Sequence, residues 1–419
     1  MLIYRPMLWH LNLRHLRAAA AVSRLGSISS AAQAVSITQP AITQAIARLE
    51  RLLGLPLFER RPDGMEATPA ARRLSARIDT ALAYIGSNRV TMAQIRALLA
   101  LGEAGSYGAA AALTGLSQPS LHRAVGDLAL VLRRPMVERR GRGLAFTDSG
   151  RKTLRAFRLA RAELEAGLAE MEALKGVETG RIAIGAMPLS RARVLPAAIA
   201  AFHREYPDAR ISVVEGAWHE LVEPLRDGSI DVMIGALRAL APGDELDQQS
   251  LFSDHPVVLA RPAHPALHAA ETADWSGLLP LLAGFPWIVP EVGTPLRAQW
   301  AQLFDAAGIA EPAVPIACGS VMMIRQILID SDFLTLLSPD QVAVELEAGW
   351  LTVVAELPAA YVRVIGVTRR ATWRPTAMQA AFLRHLESAV RAGAPKPPRG
   401  AAPRRRALGH SRGMANRIS

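Results

Sequence analysis

A chain of 419 residues has room for two to four domains, and its net charge of +11 is unevenly spread. Residues 1–175 carry 25 basic against 13 acidic side chains, residues 176–393 carry 16 against 24, and residues 394–419 carry seven against none, which points the N-terminal part toward a polyanion and keeps the acidic middle away from one. The single cysteine, Cys318, excludes an intramolecular disulfide framework. No apolar run approaches the ~20 residues that span a bilayer, and no export leader is visible, so a cytoplasmic chain without a membrane partner is expected.

The first predicted helix, over residues 16–25, stops at Gly26, where glycine accepts the left-handed geometry of a C-cap. Ser27 or Ser29 caps a short alanine-rich helix over residues 31–35, and a turn at Ser36 and Ile37 leads to Thr38, Gln39 and Pro40. Proline in a first helical turn loses no hydrogen bond, so a third helix starts there. Ala41, Ile42, Ala45, Ile46 and Leu49 fall at helical spacing and face inward, which leaves Thr38, Gln39, Thr43, Gln44 and Arg48 on the outside. A basic hairpin with Arg60 and Arg61 follows. An outward polar helix face beside such a wing is what a reader of major-groove base edges presents.

The same segment then recurs. Gly26, Ser27, Gln39, Pro40, Leu49, Glu59, Arg60, Arg61, Gly64 and Thr68 reappear 79 residues later as Gly105, Ser106, Gln118, Pro119, Leu128, Glu138, Arg139, Arg140, Gly143 and Thr147. The second copy puts Ala129 where the first has Glu50 and Arg133 where it has Gly54. Its outward face carries Ser117, Gln118, Pro119, His122 and Arg123, and its wing Arg139, Arg140 and Arg142. A duplicate retained only for packing is the other reading of copy two.

The stretch "GSISSAAQAVSITQPAITQAIARLERLLGLPLFERRPDGMEATPA" resembles the winged helix-turn-helix of the LysR-type transcriptional regulators, and "GSYGAAAALTGLSQPSLHRAVGDLALVLRRPMVERRGRGLAFTDSG" resembles it more loosely. The resemblance implies sequence-specific binding to double-stranded DNA, although members of that family usually carry one such module. A long helix is predicted over residues 148–175, with a seam of Leu154, Phe157, the stem of Arg161, Leu164, Leu168 and Met171 suited to a second helix. In the family this segment is the linker helix that dimerises the readers; an amphipathic helix lying on its own domain is the alternative. Copy one has a shorter counterpart over residues 69–85.

From Gly180 strand and helix alternate: strands over 181–186, 211–214 and 231–235, helices over 194–206 and 221–226. Segments such as "LPAAIAAFHREYPDARISVVEG" and "LVEPLRDGSIDVMIGAL" resemble the family's effector domain, a two-lobed α/β fold like that of type 2 periplasmic solute-binding proteins. The resemblance places a small-molecule effector, a sugar, aromatic acid or related metabolite, between the lobes. Pro188, Leu189 and Ser190 match the first ligand loop; Thr294 and Arg297 open a helix in the second lobe, Ser320 and Val321 another, and Arg238 ends the third strand. Each hydroxyl serves equally as an N-cap and Arg297 equally as a surface cation, so both roles stay open.

No phosphate loop, paired-histidine zinc helix or nucleophile elbow occurs, so neither catalysis, metal nor cofactor is expected. The fold expected is two helix-rich winged helix-turn-helix modules (residues 11–89 and 90–147), a linker helix (148–176), a two-lobed α/β effector domain (177–392) and a basic disordered tail (393–419). The function expected is that of a DNA-binding regulator acting as a homodimer or homotetramer, with RNA polymerase as a further partner. The competing reading is a solute-binding or enzymatic two-lobed domain whose N-terminal modules serve oligomerisation.

Overall fold

The structure is a computed structural model that describes residues 4–393 apart from Asp63, Arg142 and Thr272. The wing residue Arg142 and the basic tail from residue 394 therefore lie outside the described residues. After α1 (Tyr4–His10), the first unit packs α2 (Leu13–Leu25), α3 (Ile28–Ala34) and α4 (Gln39–Leu53) against a hairpin of β1 (Phe58–Arg61) and β2 (Gly64–Ala67), and α5 (Pro69–Ile85) leads away. The sequence signals are legible at each joint. Asn12 starts α2 three residues earlier than expected by accepting from the Arg14 N–H at 2.9 Å, Gly26 ends it at φ 64°, Ser27 caps α3 and Thr38 caps α4. Gly64 is required where it stands: a Cβ there would lie 2.4 Å from the Gly26 carbonyl oxygen, because the wing docks on that turn through the Met65 N–H at 2.8 Å.

The second unit repeats this order with α6 (Met92–Ala104), α7 (Tyr107–Thr114), α8 (Gln118–Leu132), β3 (Val137–Arg140) and β4 (Gly143–Phe146), followed by α9 (Asp148–Leu174). Both units share one continuous core. Leu154, Phe157, Leu164, Leu168 and Met171 of α9 are all buried in it together with Leu74, Ile78, Ala81 and Ile85 of α5. The seam expected to join a second helix does so, but that helix is α5 of the same chain rather than one from another subunit.

Two lobes follow. Lobe I is a five-stranded sheet in the order β6-β5-β7-β14-β8, where β5 (Arg181–Ala186) runs parallel to β6 (Arg210–Glu215) and β7 (Val232–Ala236), and β14 (Arg363–Arg370) lies antiparallel between β7 and β8 (Leu246–Asp254). Alternate faces of this sheet are buried by α10 (Val194–Glu205) and by α11 (Trp218–Arg226), giving two cores. Lobe II sets β9 (Val257–Ala260) between β12 (Thr335–Leu337) and β13 (Thr352–Glu356), beside a parallel pair β10 (Ile288–Val289) and β11 (Ile316–Ala317). It adds α12 (Ala266–Ala270), α13 (Trp275–Leu282), α14 (Pro295–Asp305), α15 (Val321–Ile329) and α16 (Ala343–Glu347) around Trp287, Trp300 and Phe304, whose rings meet edge to face. The chain passes to lobe II after β8 and returns through β14, so two crossings join the lobes, and α17 (Ala377–Gly393) closes lobe I against α10.

Candidate nucleic-acid interface and effector cleft

In the first unit α4 buries Ile42, Ala45, Ile46, Leu49 and Leu53 and leaves Thr38, Gln39, Pro40, Thr43, Gln44 and Arg48 exposed, as the periodicity predicts. Thr38 accepts from the Ala41 N–H at 3.4 Å, Thr43 donates back to the Gln39 carbonyl at 3.2 Å, and the Gln39 amide reaches Ser29 of α3 at 3.3 Å. The wing is pinned from behind by Glu50, whose carboxylate accepts from the N–H groups of Leu57 at 2.7 Å and Phe58 at 3.2 Å. Arg60 and Arg61 are both exposed, but they are not equivalent. Arg61 is held by Glu66 at 2.8 Å and Glu59 at 3.0 Å, which leaves Arg60 as the cation of this pair without an ion-pair partner among the described residues.

The second unit presents a different face on the same scaffold. Ser117 caps α8, shares a 2.8 Å hydrogen bond with Ser120, and stands exposed with Gln118, Pro119, His122 and Arg123; the His122 ring leans on Tyr107 with centroids 5.1 Å apart. With Ala129 in place of Glu50, the second wing has no carboxylate pin. With Ala145 in place of Glu66, Arg140 lacks the partner that Arg61 has across its hairpin. Arg139 and Arg140 are exposed without ion pairs among the described residues. Arg133, where the first unit has Gly54, is forced to φ 53° to end α8, a backbone region that disfavours side chains with a Cβ.

Sequence reasoning missed a buried charge cluster where both units meet lobe I. Arg77 of α5 donates to Glu163 at 3.1 Å and Glu170 at 2.5 Å, both on α9, and to the Arg374 carbonyl at 2.9 Å; Arg374 in turn reaches Glu163 at 3.2 Å and the Ala76 carbonyl at 3.0 Å. Burial pulls the Arg77 guanidinium down, but the hydrogen bond and charge of Glu170, with those of Glu163, outweigh it and hold the group above its ordinary value. The available signal was charge at inward positions of two helices that otherwise read as apolar seams. Arg161, expected to lend only its stem, is also inward and donates to Glu103 at 2.5 Å.

The three parallel strands of lobe I end on one edge, where open α/β sheets bind ligands. Pro188, Leu189 and Ser190 form a 3-10 turn after β5, Trp218 opens α11 after β6, and Arg238 follows β7. The facing loops of lobe II leave adjacent parallel strands: Thr294 beyond β10 and Ser320 and Val321 beyond β11, tied by the Cys318 N–H to the Val289 carbonyl at 2.9 Å. The lobes touch through the 3-10 turns at Pro188–Arg191 and Pro339–Val342, and Arg193 reaches Asp340 at 3.4 Å.

Within this frame the expected effector residues separate. Ser190 is buried, and its hydroxyl donates to the Met187 carbonyl at 2.8 Å, closing its own turn. Thr294 is likewise committed, accepting from the Arg297 N–H at 3.4 Å and donating to the Glu291 carbonyl at 2.9 Å. Arg297, expected as a possible carboxylate clamp, lies over the Trp300 ring at 4.4 Å and pairs with Glu311 at 3.4 Å, so its charge is already answered within lobe II. Ser320, by contrast, is exposed and makes no side-chain cap. Arg238 sits over Trp218 at 5.2 Å with its Nε buried and unpartnered, and burial lowers its pKa. Of the two candidate arginines, Arg238 is the one whose charge stays unanswered among the described residues. Among the described residues no cluster of ligating side chains suits a metal ion, and no helix is long and apolar enough to cross a membrane.

Residues 175–391 match the family described as the LysR substrate binding domain, and residues 13–72 and 92–151 each match the bacterial regulatory helix-turn-helix protein, lysR family. The HTH-type transcriptional regulator GalR of Pseudomonas putida is 33% identical over 86% of this chain and 92% of its own. The SDS degradation transcriptional activation protein of a Pseudomonas species is 29% identical over 63% of this chain and 84% of its own. Among solved structures, ArgP of Mycobacterium tuberculosis, at 17% identity, covers 71% of this chain and 96% of its own with a TM-score of 0.56, a likeness of fold.

Proposed function

The chain belongs to the LysR family of bacterial transcriptional regulators, with a substrate-binding domain behind its helix-turn-helix region, and from that premise we propose that it carries two tandem DNA readers gated by a small-molecule effector. The observation that carries the proposal is the exposed polar face of α4, Thr38, Gln39, Pro40, Thr43 and Gln44, beside the Arg60 wing, repeated on α8 as Ser117, Gln118, Pro119, His122 and Arg123 beside Arg139 and Arg140. Phosphate contacts from the wings supply salt-dependent affinity, and the helix faces supply base choice.

The effector reading rests on the carboxyl edge of lobe I and the loops opposite it. The half-buried Arg238 guanidinium, whose buried Nε has no partner and which is backed by the Trp218 ring, suits a carboxylate on an aromatic or sugar-acid skeleton, with Ser320 offering a hydroxyl from lobe II. Ligand that favours one lobe angle shifts the reader geometry through the Arg77 cluster, by no more than its differential affinity for the two states. The domain divisions at about residues 89, 147, 176 and 392, assembly as a homodimer or homotetramer, contact with RNA polymerase and residence in the cytoplasm complete the proposal. Gel shifts on promoter fragments, with and without candidate metabolites, test it: selective shifts that a carboxylate modulates are expected, and equal binding to every fragment counts against it.

A further inference from the structure

We infer that one chain supplies both halves of a paired DNA reader, and that the pair recognises two unlike half-sites on a single duplex. This rests on the regulator reading and deepens it. The repeat makes Ala81 of α5 and Ala160 of α9 equivalent positions, 79 residues apart, and each is 1% exposed. The two helices run antiparallel. A Cβ at Gly167 would lie 3.2 Å from the side chains of both Leu74 and Arg77, Arg77 reaches Glu163 and Glu170 on either side of that glycine, and further along α5 Thr80 shares Arg374 with Glu163, at 2.8 and 3.2 Å. At the far end, Lys175 after α9 donates to the Leu53 carbonyl at 3.2 Å, just before the wing that leads into α5. Continuing that register by about two turns from Leu74 brings Ala81 opposite Ala160. Antiparallel helices that set equivalent residues against each other generate a local two-fold axis, the geometry of an isologous dimer, but here inside one polypeptide.

That axis has a functional meaning because duplex DNA has local two-fold axes of its own. Readers related by such an axis address two half-sites of one duplex, which separate dimer-forming chains ordinarily supply. The two units and both long helices share a single core, so the relation is fixed by packing rather than by a tether. Duplication inside one chain also frees the faces to differ, which identical subunits forbid. His122 stands at the place of Thr43, Arg123 at that of Gln44 and Asp127 at that of Arg48. Glutamine pairs bidentately with adenine and arginine with guanine. The operator is therefore composite, with an adenine-directed half under α4 and a guanine-directed half under α8. The loss of cation at Asp127 is offset at the second wing, where Ala145 stands in place of the glutamate that holds Arg61 in the first.

The test is selection of bound sequences from a random duplex library by the intact protein, repeated with Gln44→Ala and with Arg123→Ala. The unmodified protein should select two dissimilar motifs at fixed spacing. Gln44→Ala should drop base preference about 5- to 150-fold in one motif only, and Arg123→Ala in the other only. Both motifs weakening together under Gln44→Ala would mean that copy one pairs with copy one of another chain, and a single motif indifferent to Arg123→Ala would remove the second reader; either overturns the inference while the regulator reading stands. Failure to select any sequence would instead overturn the regulator reading. Independently, oxidation of a Leu74→Cys, Gly167→Cys, Cys318→Ser variant should give a cross-link at the mass of one chain, and a two-chain product would contradict pairing in cis. If that variant fails to fold, the selection decides alone.

Discussion

Arg77 and Glu163 meet at 3.1 Å with side chains 6% and 10% exposed, at the point where α5 of the first unit, α9 behind the second and the Arg374 loop of lobe I converge. No other described ion pair joins three parts of the chain in so dry a setting. Removing one partner of such a pair leaves an unanswered buried charge, here the Glu170 carboxylate, with Glu163 left to Arg374 alone. Arg77→Met should therefore cost about 3–5 kcal/mol of stability. Arg374→Ala should cost less, because that side chain is 44% exposed. Urea unfolding of the two variants checks the order, and a loss below about 1 kcal/mol for Arg77→Met would show that the cluster relaxes into solvent.

Base reading by the first unit is tested at Gln39, exposed in the first turn of α4 and steadied by Ser29 at 3.3 Å. Gln39→Ala should cost roughly 1–3 kcal/mol on the cognate duplex and relax base choice at one position. Equal loss on cognate and random duplex would assign the residue to backbone contact only.

The wings should differ in their salt response. Each phosphate contact contributes about −0.9 to the log-log salt slope, so Arg139→Ala with Arg140→Ala should make it shallower by about two units. Arg60→Ala with Arg61→Ala should change it by nearer one unit, since Glu59 and Glu66 already answer Arg61. Equal changes would mean that Arg61 leaves its carboxylates on binding DNA.

In the effector cleft the two arginines should separate cleanly. Compounds from a panel of aromatic carboxylates and sugar acids that raise the melting temperature of the unmodified protein should lose that effect with Arg238→Ala and keep it with Arg297→Ala. Arg297 is tied to Glu311 and Trp300, whereas Arg238 has a buried Nε without a partner. The reverse pattern would move the anion site into lobe II.

His264 makes lobe II acid-sensitive. The buried ring accepts from the Ala266 N–H at 3.0 Å and donates from Nε2 to the Asp332 carbonyl at 3.1 Å, and burial pushes its pKa below the ordinary 6.5. The folded state thus holds the neutral form, while the unfolded chain takes up a proton as pH falls through about 6.5, so this contribution is complete above that value and lost below it. Melting temperature should fall between about pH 7 and about pH 5, and His264→Gln should flatten that fall. A slope unchanged by the substitution would place the acid sensitivity elsewhere.

The local grammar of the N-terminal units was legible because caps and breakers act within a few residues: Gly26, Ser27, Thr38 and Pro40 each do what the sequence implies. Strand β5 falls at the expected residues for the same reason, its apolar run being bounded by Gly180 before it and by the Pro188 turn after it. What could not be read was which partner an apolar seam meets. Leu164 and Leu168 show only that α9 packs on a helix, and nothing local says that the helix is α5 of the same chain. The fate of hydroxyls was equally hidden. Ser190, Thr294 and Ser320 look alike in sequence, yet two close their own turns and one stays free, which depends on backbone geometry over three residues.

The most direct measurement of the central claim is fluorescence anisotropy of the intact protein on a labelled duplex carrying its selected site, against a scrambled duplex of equal length, over a range of salt. Binding to the selected site about a thousandfold tighter at physiological salt, with affinity falling steeply as salt rises, is the predicted result. Equal affinities on the two duplexes would contradict sequence recognition by this chain.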